Sequence, residues 1–309
     1  MANKDEKREK LARVAQLYYL EDWKQSDIAK EFDVSRPFVS RMLKQARELG
    51  VVEITIHSPE PTHGQLLELA KQRYGLQGGV LVAEDPDSNL INRALSEGAI
   101  GLLDTLKTRR LGVGWGHLMG EMVNYLESQD ELSYRVLSVC PLLGNAGVPV
   151  RHYQSSETVR VFAQTLKATP HFLNLPALPG DVAEHDLLCG TESYLQIARQ
   201  WERMDTVFVN IGNYPSTPDF ASGARYGMLL QQKKACGRLL AYYCNARGEI
   251  LQSEQDFALQ IPLETLRQCK NVVGIVSANT SAKALSAALN TGLFSHLVAR
   301  EALLKEALK

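Results

Sequence analysis

The chain has 309 residues, with 34 basic and 35 acidic side chains and a formal net charge of −1; that length suits two domains of unequal size, and near-neutrality excludes a global electrostatic case for nucleic acid, so any such case must be local. No apolar run approaches the roughly 20 residues of a membrane span, and MANKDEKREK is followed by no apolar segment, which excludes a secretion signal and predicts a cytoplasmic protein with no membrane partner. The five cysteines (Cys140, Cys189, Cys236, Cys244 and Cys269) lack CxxC spacing, as expected of reduced thiols without a metal.

The first sixty residues read as three helices and a strand. In 7–20, Leu11, Val14, Ala15, Tyr18 and Tyr19 share one face. Ser26 is expected to cap a second helix, SDIAKEF, with Asp27 in its first turn and Ile28, Ala29 and Phe32 facing inward. After the turn at Asp33-Val34, Ser35 is expected to cap a third helix. Pro37 lies in its first turn and Gly50 just past its end. VVEITIH (51–57) alternates as a strand, and SPEPTHG (58–64) reads as a linker before a helix at 65–74.

The third helix concentrates charge. Arg36, Arg41, Lys44 and Arg47 carry four positive charges between residues 36 and 47, with no acid among them. Val39, Met42, Leu43 and Ala46 form the inner stripe. Arg36, Ser40, Lys44 and Arg47 fall on another face, flanked by Arg41 and Gln45. A helix face made only of donors suits a groove walled by phosphates, where Arg reads guanine and Gln reads adenine. With the preceding helix it makes a helix-turn-helix, winged-helix-like if the following strand serves as a wing. Gln25 and Ser26 at the first helix's start are placed to hold a phosphate.

From about residue 78, apolar strands alternate with helices. The predicted strands are 79–83, 110–115, 134–140, 206–212, 237–244, 271–277 and 296–300. The predicted helices are 88–107, 117–127, 155–167, 191–204, 224–234 and 280–290. This is the pattern of an α/β domain on a mostly parallel sheet. Three polar constellations sit at strand ends. LGVGWGHLMG places Gly114, Trp115, Gly116 and His117 between a strand and a helix, as an anion or sugar hydroxyl needs. VNIGNYPSTPDF ends a strand in Gly212 and Asn213, and IVSANTSAKAL ends one in Ser277, Asn279, Thr280 and Ser281.

YYLEDWKQSDIAKEF and VSRPFVSRMLKQARELGVV resemble the N-terminal domain of the SorC family of bacterial sugar-responsive transcription regulators, also grouped with DeoR-type regulators. The resemblance implies that Ser35, Arg36, Pro37, Ser40, Arg41 and Lys44 lie on a recognition helix for double-stranded operator DNA. From about residue 65 onward, GVGWG, CPLLGN (140–145), VNIGN, CNARG (244–248) and NVVGIVS resemble the family's effector domain. That domain's fold is similar to the sugar-phosphate isomerases and glucosamine-phosphate deaminases. The resemblance implies domains at 1–57 and 65–309 joined by 58–64, a small carbohydrate effector, and self-assembly into dimers or tetramers. It adds Gly144, Asn145, Arg238 and Asn245 to the effector candidates.

The sequence departs from the family at its charged positions. Gly237-Arg238 stands where Gly-Asp is common, Cys244-Asn245 where Phe-Asp is common, and Ser277 to Ser281 where Gly-Gly-x-x-Lys is common. The carboxylate that grips sugar hydroxyls and the lysine that meets a phosphate are gone, and Arg238 offers a replacement charge. A neutral sugar, a polyol or a different anion stays open as effector. An effector-insensitive assembly domain is an alternative, distinguished by DNA affinity that no metabolite moves. Catalysis is not expected. His117, His152, His171 and the Glu184-His185-Asp186 triplet carry no nucleophile-base or metal spacing.

Overall fold

The computed structural model describes residues 2–52, 62–129, 134–147, 150–217 and 219–309, with the backbone alone at 2–7, 48 and 152. The chain divides into two compact units, Met1–Glu60 and Pro61–Lys309.

The first unit holds α1 (Ala2–Tyr19), α2 (Gln25–Glu31) and α3 (Arg36–Glu48). Leu11, Val14, Ala15 and Leu17 of α1 pack with Ile28 and Ala29 of α2 and with Val39, Met42, Leu43 and Ala46 of α3. The inward face predicted for α3 is thus its buried face. Ser26 does not cap α2. The helix starts one residue earlier, and Lys24 occupies the cap position without a side-chain bond. Ser35 does hold the cap position of α3, with Pro37 in the first turn, though its side chain makes no capping bond. Asp33 takes a left-handed φ of 48° in the turn between α2 and α3, a conformation Asp tolerates. Of the strand expected at 51–57, residues 53–57 lie outside the described residues, as do 58–61 of the linker.

The second unit opens with α4 (His63–Tyr74). Its capping box pairs Thr62 N–H with Gln65 Oε1 at 2.8 Å and Gln65 N–H with Thr62 Oγ1 at 3.4 Å. His63 and Gly64 are therefore helical and not linker. There follow β1 (Gly78–Val82), α5 (Ser88–Thr105), β2 (Arg110–Val113), α6 (His117–Glu127), β3 (Ser138–Pro141), α7 (Ser155–Thr165), β4 (Thr169–Pro170), α8 (Val182–Cys189), α9 (Glu192–Trp201) and β5 (Thr206–Asn213). The chain continues through α10 (Ser222–Tyr226), α11 (Leu229–Gln232), β6 (Ala235–Leu239), β7 (Tyr242–Asn245), β8 (Ile250–Leu251), α12 (Leu263–Gln268), β9 (Asn271–Val276), α13 (Ala282–Asn290), β10 (His296–Arg300) and α14 (Glu301–Ala307).

Seven strands run parallel in the order β1-β10-β9-β5-β2-β3-β4. Every residue of β9 is buried, so both faces of the sheet are covered there, as a parallel sheet requires. The hairpin β6–β7, extended by β8, joins the distal half of β5 antiparallel. Three expectations need correction. The run 237–244 is two strands, not one, because Leu240 turns the chain at φ 54°. The helix expected at 224–234 is broken into α10 and α11 at Gly227, φ 53°. The third predicted strand, 134–140, is a strand only from Ser138, and runs on to Pro141. Among the described residues, no helix is long and apolar enough to cross a membrane.

Candidate functional site

Two regions carry groups that the fold itself does not use. The first is the outer face of α3, where Arg36, Ser40, Arg41, Lys44, Gln45 and Arg47 are all exposed. Gln25 is half-buried, and Ser26, Ser35 and Pro37 are exposed. Among the described residues, Arg36, Arg41 and Arg47 form no ion pair. The guanidinium of Arg41 lies 6.0 Å from the ring centre of Phe38, itself an exposed aromatic. Arg36, Arg41 and Arg47 therefore offer unneutralised donors to whatever meets the face.

The second region lies where connections out of the sheet diverge. After β2 the chain crosses to β3 on one side, and after β5 it reaches β9 on the other. Such a divergence leaves a crevice outside the carboxyl ends of the strands, where ligands bind in open α/β sheets. β2 holds one edge of β5 over Thr206–Phe208, and β6 takes that edge from Ile211 to Asn213. Asn210 sits in the gap between these pairings.

Asn210 and Gly212 project to the same face of β5. Because Gly212 has no side chain, the Arg238 guanidinium occupies its space: a Cβ there would meet Nη2 at 3.2 Å. Gly116, at φ 119°, lets backbone approach Asn210 closely, and a Cβ on it would lie 3.1 Å from Nδ2. Trp115 is buried and stacks on Phe220 with ring centres 5.2 Å apart, while Tyr153 lies 5.8 Å from each. The Arg238 guanidinium rides 4.1 Å above the Phe220 ring.

Arg238 is only 8% exposed. Among the described residues its side chain has neither a hydrogen bond nor an ion pair. Burial lowers its pKa, but a guanidinium stays charged. Burial also pushes the Tyr153 phenol up, against the pull of the Arg238 charge, so it remains a neutral hydroxyl. Among the described residues, four buried side-chain atoms lack a partner: Trp115 Nε1, Asn210 Oδ1, Arg238 Nε and Arg300 Nε. Buried polar groups are nearly always paired, yet three of these four belong to this one crevice.

The frame around them is fully satisfied. Buried Arg225 donates from Nε to Asp256 Oδ1 at 2.8 Å, from Nη1 to the Phe220 carbonyl at 3.1 Å and from Nη2 to the Ala241 carbonyl at 2.7 Å. Ala241 N–H donates to Gln260 Oε1 at 2.9 Å. One guanidinium thus fixes both Phe220 and the hairpin tip beyond Arg238. At the opposite ends of the strands the polar groups pair among themselves: Thr108 Oγ1 with Thr206 Oγ1 at 2.9 Å, and Asn271 Nδ2 with Thr206 Oγ1 at 3.1 Å.

Of the effector candidates read from sequence, Trp115, Gly116, Gly212 and Arg238 meet here. The others have internal duties. A Cβ on Gly114 would strike Leu240 Cδ2 at 2.9 Å, and one on Gly144 would strike the backbone of Leu175 to Ala177. Asn145 Oδ1 accepts from Ser155 Oγ at 2.9 Å and Ser156 N–H at 3.1 Å, holding the start of α7. Asn245 Oδ1 accepts from Arg247 N–H at 3.0 Å and Glu249 N–H at 3.2 Å. Asn213 Nδ2 donates to the Asn279 carbonyl, and its Oδ1 accepts from Ser281 N–H, each at 2.9 Å. Thr280 Oγ1 accepts from Ser277 N–H at 2.9 Å and donates to the Ile211 carbonyl at 3.1 Å. His117 is exposed, its Nε2 3.4 Å from Asn92 Nδ2.

Asn210, Tyr153 and Phe220 were missed. Asn210 alone left a signal, as the polar residue interrupting the apolar run TVFVNIG. The structure also gives His185 a neighbour that its triplet did not suggest: Cys189 Sγ lies 3.5 Å from Nε2, and Asp186 Oδ1 lies 3.0 Å from Nδ1. Burial pushes the Cys189 thiol up, away from the thiolate a nucleophile needs. Among the described residues, no cluster of three or more His, Cys, Asp or Glu could hold a metal ion.

Residues 64–309 match the model of a family described as "Putative sugar-binding domain". The chain is 26% identical over 308 residues to the sorbitol operon regulator of Klebsiella pneumoniae, covering 96% of each chain. It is 25% identical over 304 residues to the deoxyribonucleoside regulator of Bacillus subtilis, covering 95% of each. The crystal structure of the full-length Klebsiella pneumoniae regulator superposes with a TM-score of 0.71 at 25% identity, over 98% of this chain and 99% of that one.

Proposed function

The chain belongs to the SorC family of sugar-responsive transcription regulators, and from that premise we propose that it binds operator DNA through α3 and tunes that binding with a small carbohydrate held in the Trp115–Asn210–Arg238 crevice. The observation that carries the effector half is the convergence of three unpartnered buried polar atoms on one aromatic-lined crevice at the sheet's divergence point. In the DNA-binding half, α2, its turn and α3 act as a helix-turn-helix. Residues near the start of α3 then meet base edges while α2 crosses the backbone. The first unit serves DNA and the second serves effector binding and assembly, on a frame shared with sugar-phosphate isomerases and deaminases. A dimer presents two copies of α3 about 34–36 Å apart to two half-sites.

Sensing fits the crevice better than turnover. The groups around it are aromatic, amide and guanidinium. Sugar isomerisation needs a positioned carboxylate or imidazole, and no described Asp, Glu or His bonds to Asn210, Trp115 or Arg238. An effector acts by binding one arrangement of the assembled protein more tightly than another.

The test is fluorescence anisotropy on DNA from upstream of the protein's own gene, at fixed salt. Arg41→Ala and Lys44→Ala are each expected to weaken binding by about 1–3 kcal/mol where the side chain reads a base. Where it meets a phosphate, each is expected to flatten the log–log salt slope by about one unit. Unchanged affinity and slope in both variants would remove α3 as the recognition helix. DNA binding that responds to no sugar, polyol or sugar derivative would leave an assembly-only second unit.

A further inference from the structure

We infer that the effector is a polyhydroxy carboxylic acid whose carboxylate pairs with Arg238. The inference rests on the crevice being the effector site, and goes further by fixing the ligand's charge and where that charge sits.

Arg238 and the turn after β9 could each receive an anion, and the turn's side chains already take several of its donors. At the turn after β9, the N–H groups of Ser277, Ala278, Ser281 and Ala284 are taken by Thr280 Oγ1, Asn92 Oδ1, Asn213 Oδ1 and Ser281 Oγ at 2.9–3.2 Å. A phosphate there would have to displace side chains that already satisfy those donors. Arg238 is the open place. It is a buried cation with no counter-ion among the described residues, on strand β6 just before a turn locked by Arg225 and Gln260.

Charge balance then selects the ligand. Buried Arg225 is neutralised by Asp256 at 2.8 Å, so the crevice holds one uncompensated positive charge. A neutral sugar would leave it unpaired in a dry site, which is costly. A phosphate monoester, with about −1.5 to −2 charge, would overshoot it. A carboxylate carries one negative charge, and its two oxygens match the fork of a guanidinium. The remaining groups call for hydroxyls: Trp115 Nε1–H has a donor to give, and Asn210 Oδ1 needs one.

The experiment uses the full-length protein, by thermal melting and by operator anisotropy. The probes are D-gluconate, D-galactonate, D-glucuronate and D-galacturonate, their neutral counterparts (sorbitol, galactitol, glucose and galactose), and glucose and galactose 6-phosphates. At least one acid is expected to raise the melting temperature and shift operator affinity by about tenfold or more, with Arg238→Met abolishing both responses. Without ligand, Arg238→Met is expected to melt at or above the wild type, because it removes an unpaired buried charge. A lower melting temperature for unliganded Arg238→Met would make Arg238 structural and overturn the inference. A neutral or phosphorylated probe acting more strongly than every acid would also overturn it, while leaving the effector site in place. No response to any probe would sink both this inference and the sensor reading.

Discussion

Single side chains, one buried and two half-buried, make the stability of this fold fall with acid in two separate windows. His296 on β10 is buried, with Nδ1 2.9 Å from Ser295 Oγ; burial, and then the Lys71 charge, hold its pKa below the ordinary imidazole value of 6.5. Burial does the same for His171. Both imidazoles take up a proton less readily in the folded chain than in the unfolded one, so between the depressed folded pKa and about 6.5 the unfolded chain binds more protons. Stability is therefore full above about pH 6.5 and falls as pH drops below it. Glu157 titrates lower. Its hydrogen bond to Arg160 acts first and Arg151 adds to it, and together they outweigh burial and hold the carboxyl at about 2, against an ordinary value of 4.5. Its contribution is present above 4.5 and is lost as pH falls toward 2. Urea midpoints measured from pH 8 to 3 are expected to decline first below about 6.5 and again below about 4.5. His296→Gln should reduce the first decline and leave the second. A midpoint flat between pH 7 and 5 in the wild type would show that the imidazoles are free to ionise in the fold.

At the scale of the element, the asparagines at strand ends divide into those that hold turns and the one that faces the crevice. Asn145 supplies the N-terminus of α7 with the acceptor that Gln154, the residue at the cap position, does not. Asn145→Ala is expected to destabilise the second unit by about 1–2 kcal/mol, as loss of a helix cap does, while effector affinity stays at its wild-type value. A large loss of effector affinity with unchanged stability would return Asn145 to the binding site. This division also shows what sequence makes legible. Periodicity exposed the buried stripe of α3 and the alternation of apolar strands with helices, because both patterns are written in consecutive residues. The hairpin 235–245 was hidden: GRLLAYYC runs apolar without Gly, Pro or Asn at its bend, and the left-handed Leu240 is held by contacts far along the chain. For the same reason strand-end motifs picked out the carboxyl ends of the strands but not the partners that their side chains bond. Asn213, Asn245 and Thr280 look like ligand groups until the backbone donors they serve come into view. Tyr153 and Phe220 reach Trp115 only through tertiary packing.

At the scale of the whole molecule, the two units have separate apolar cores: ten buried residues in the first, and a much larger cluster in the second that contains the crevice's Trp115 and Phe220. A domain of about 60 residues buries only about 60% of the surface its unfolded chain exposes, so the first unit is the less stable partner. Calorimetry is expected to resolve two transitions, the lower from the first unit. Operator DNA at a hundredfold excess over its Kd should stabilise the lower one by about 2.7 kcal/mol, and effector should raise the upper one. Communication between them then has a measurable form. If effector weakens operator binding tenfold, it must lower the DNA-stabilised transition by about 1.4 kcal/mol, and DNA must weaken effector binding by the same factor. Equal shifts read from both ends would show that the two measurements report one coupled equilibrium. A single transition that either ligand moves as a whole would instead mean that the units unfold as one cooperative body, with coupling carried by their shared stability.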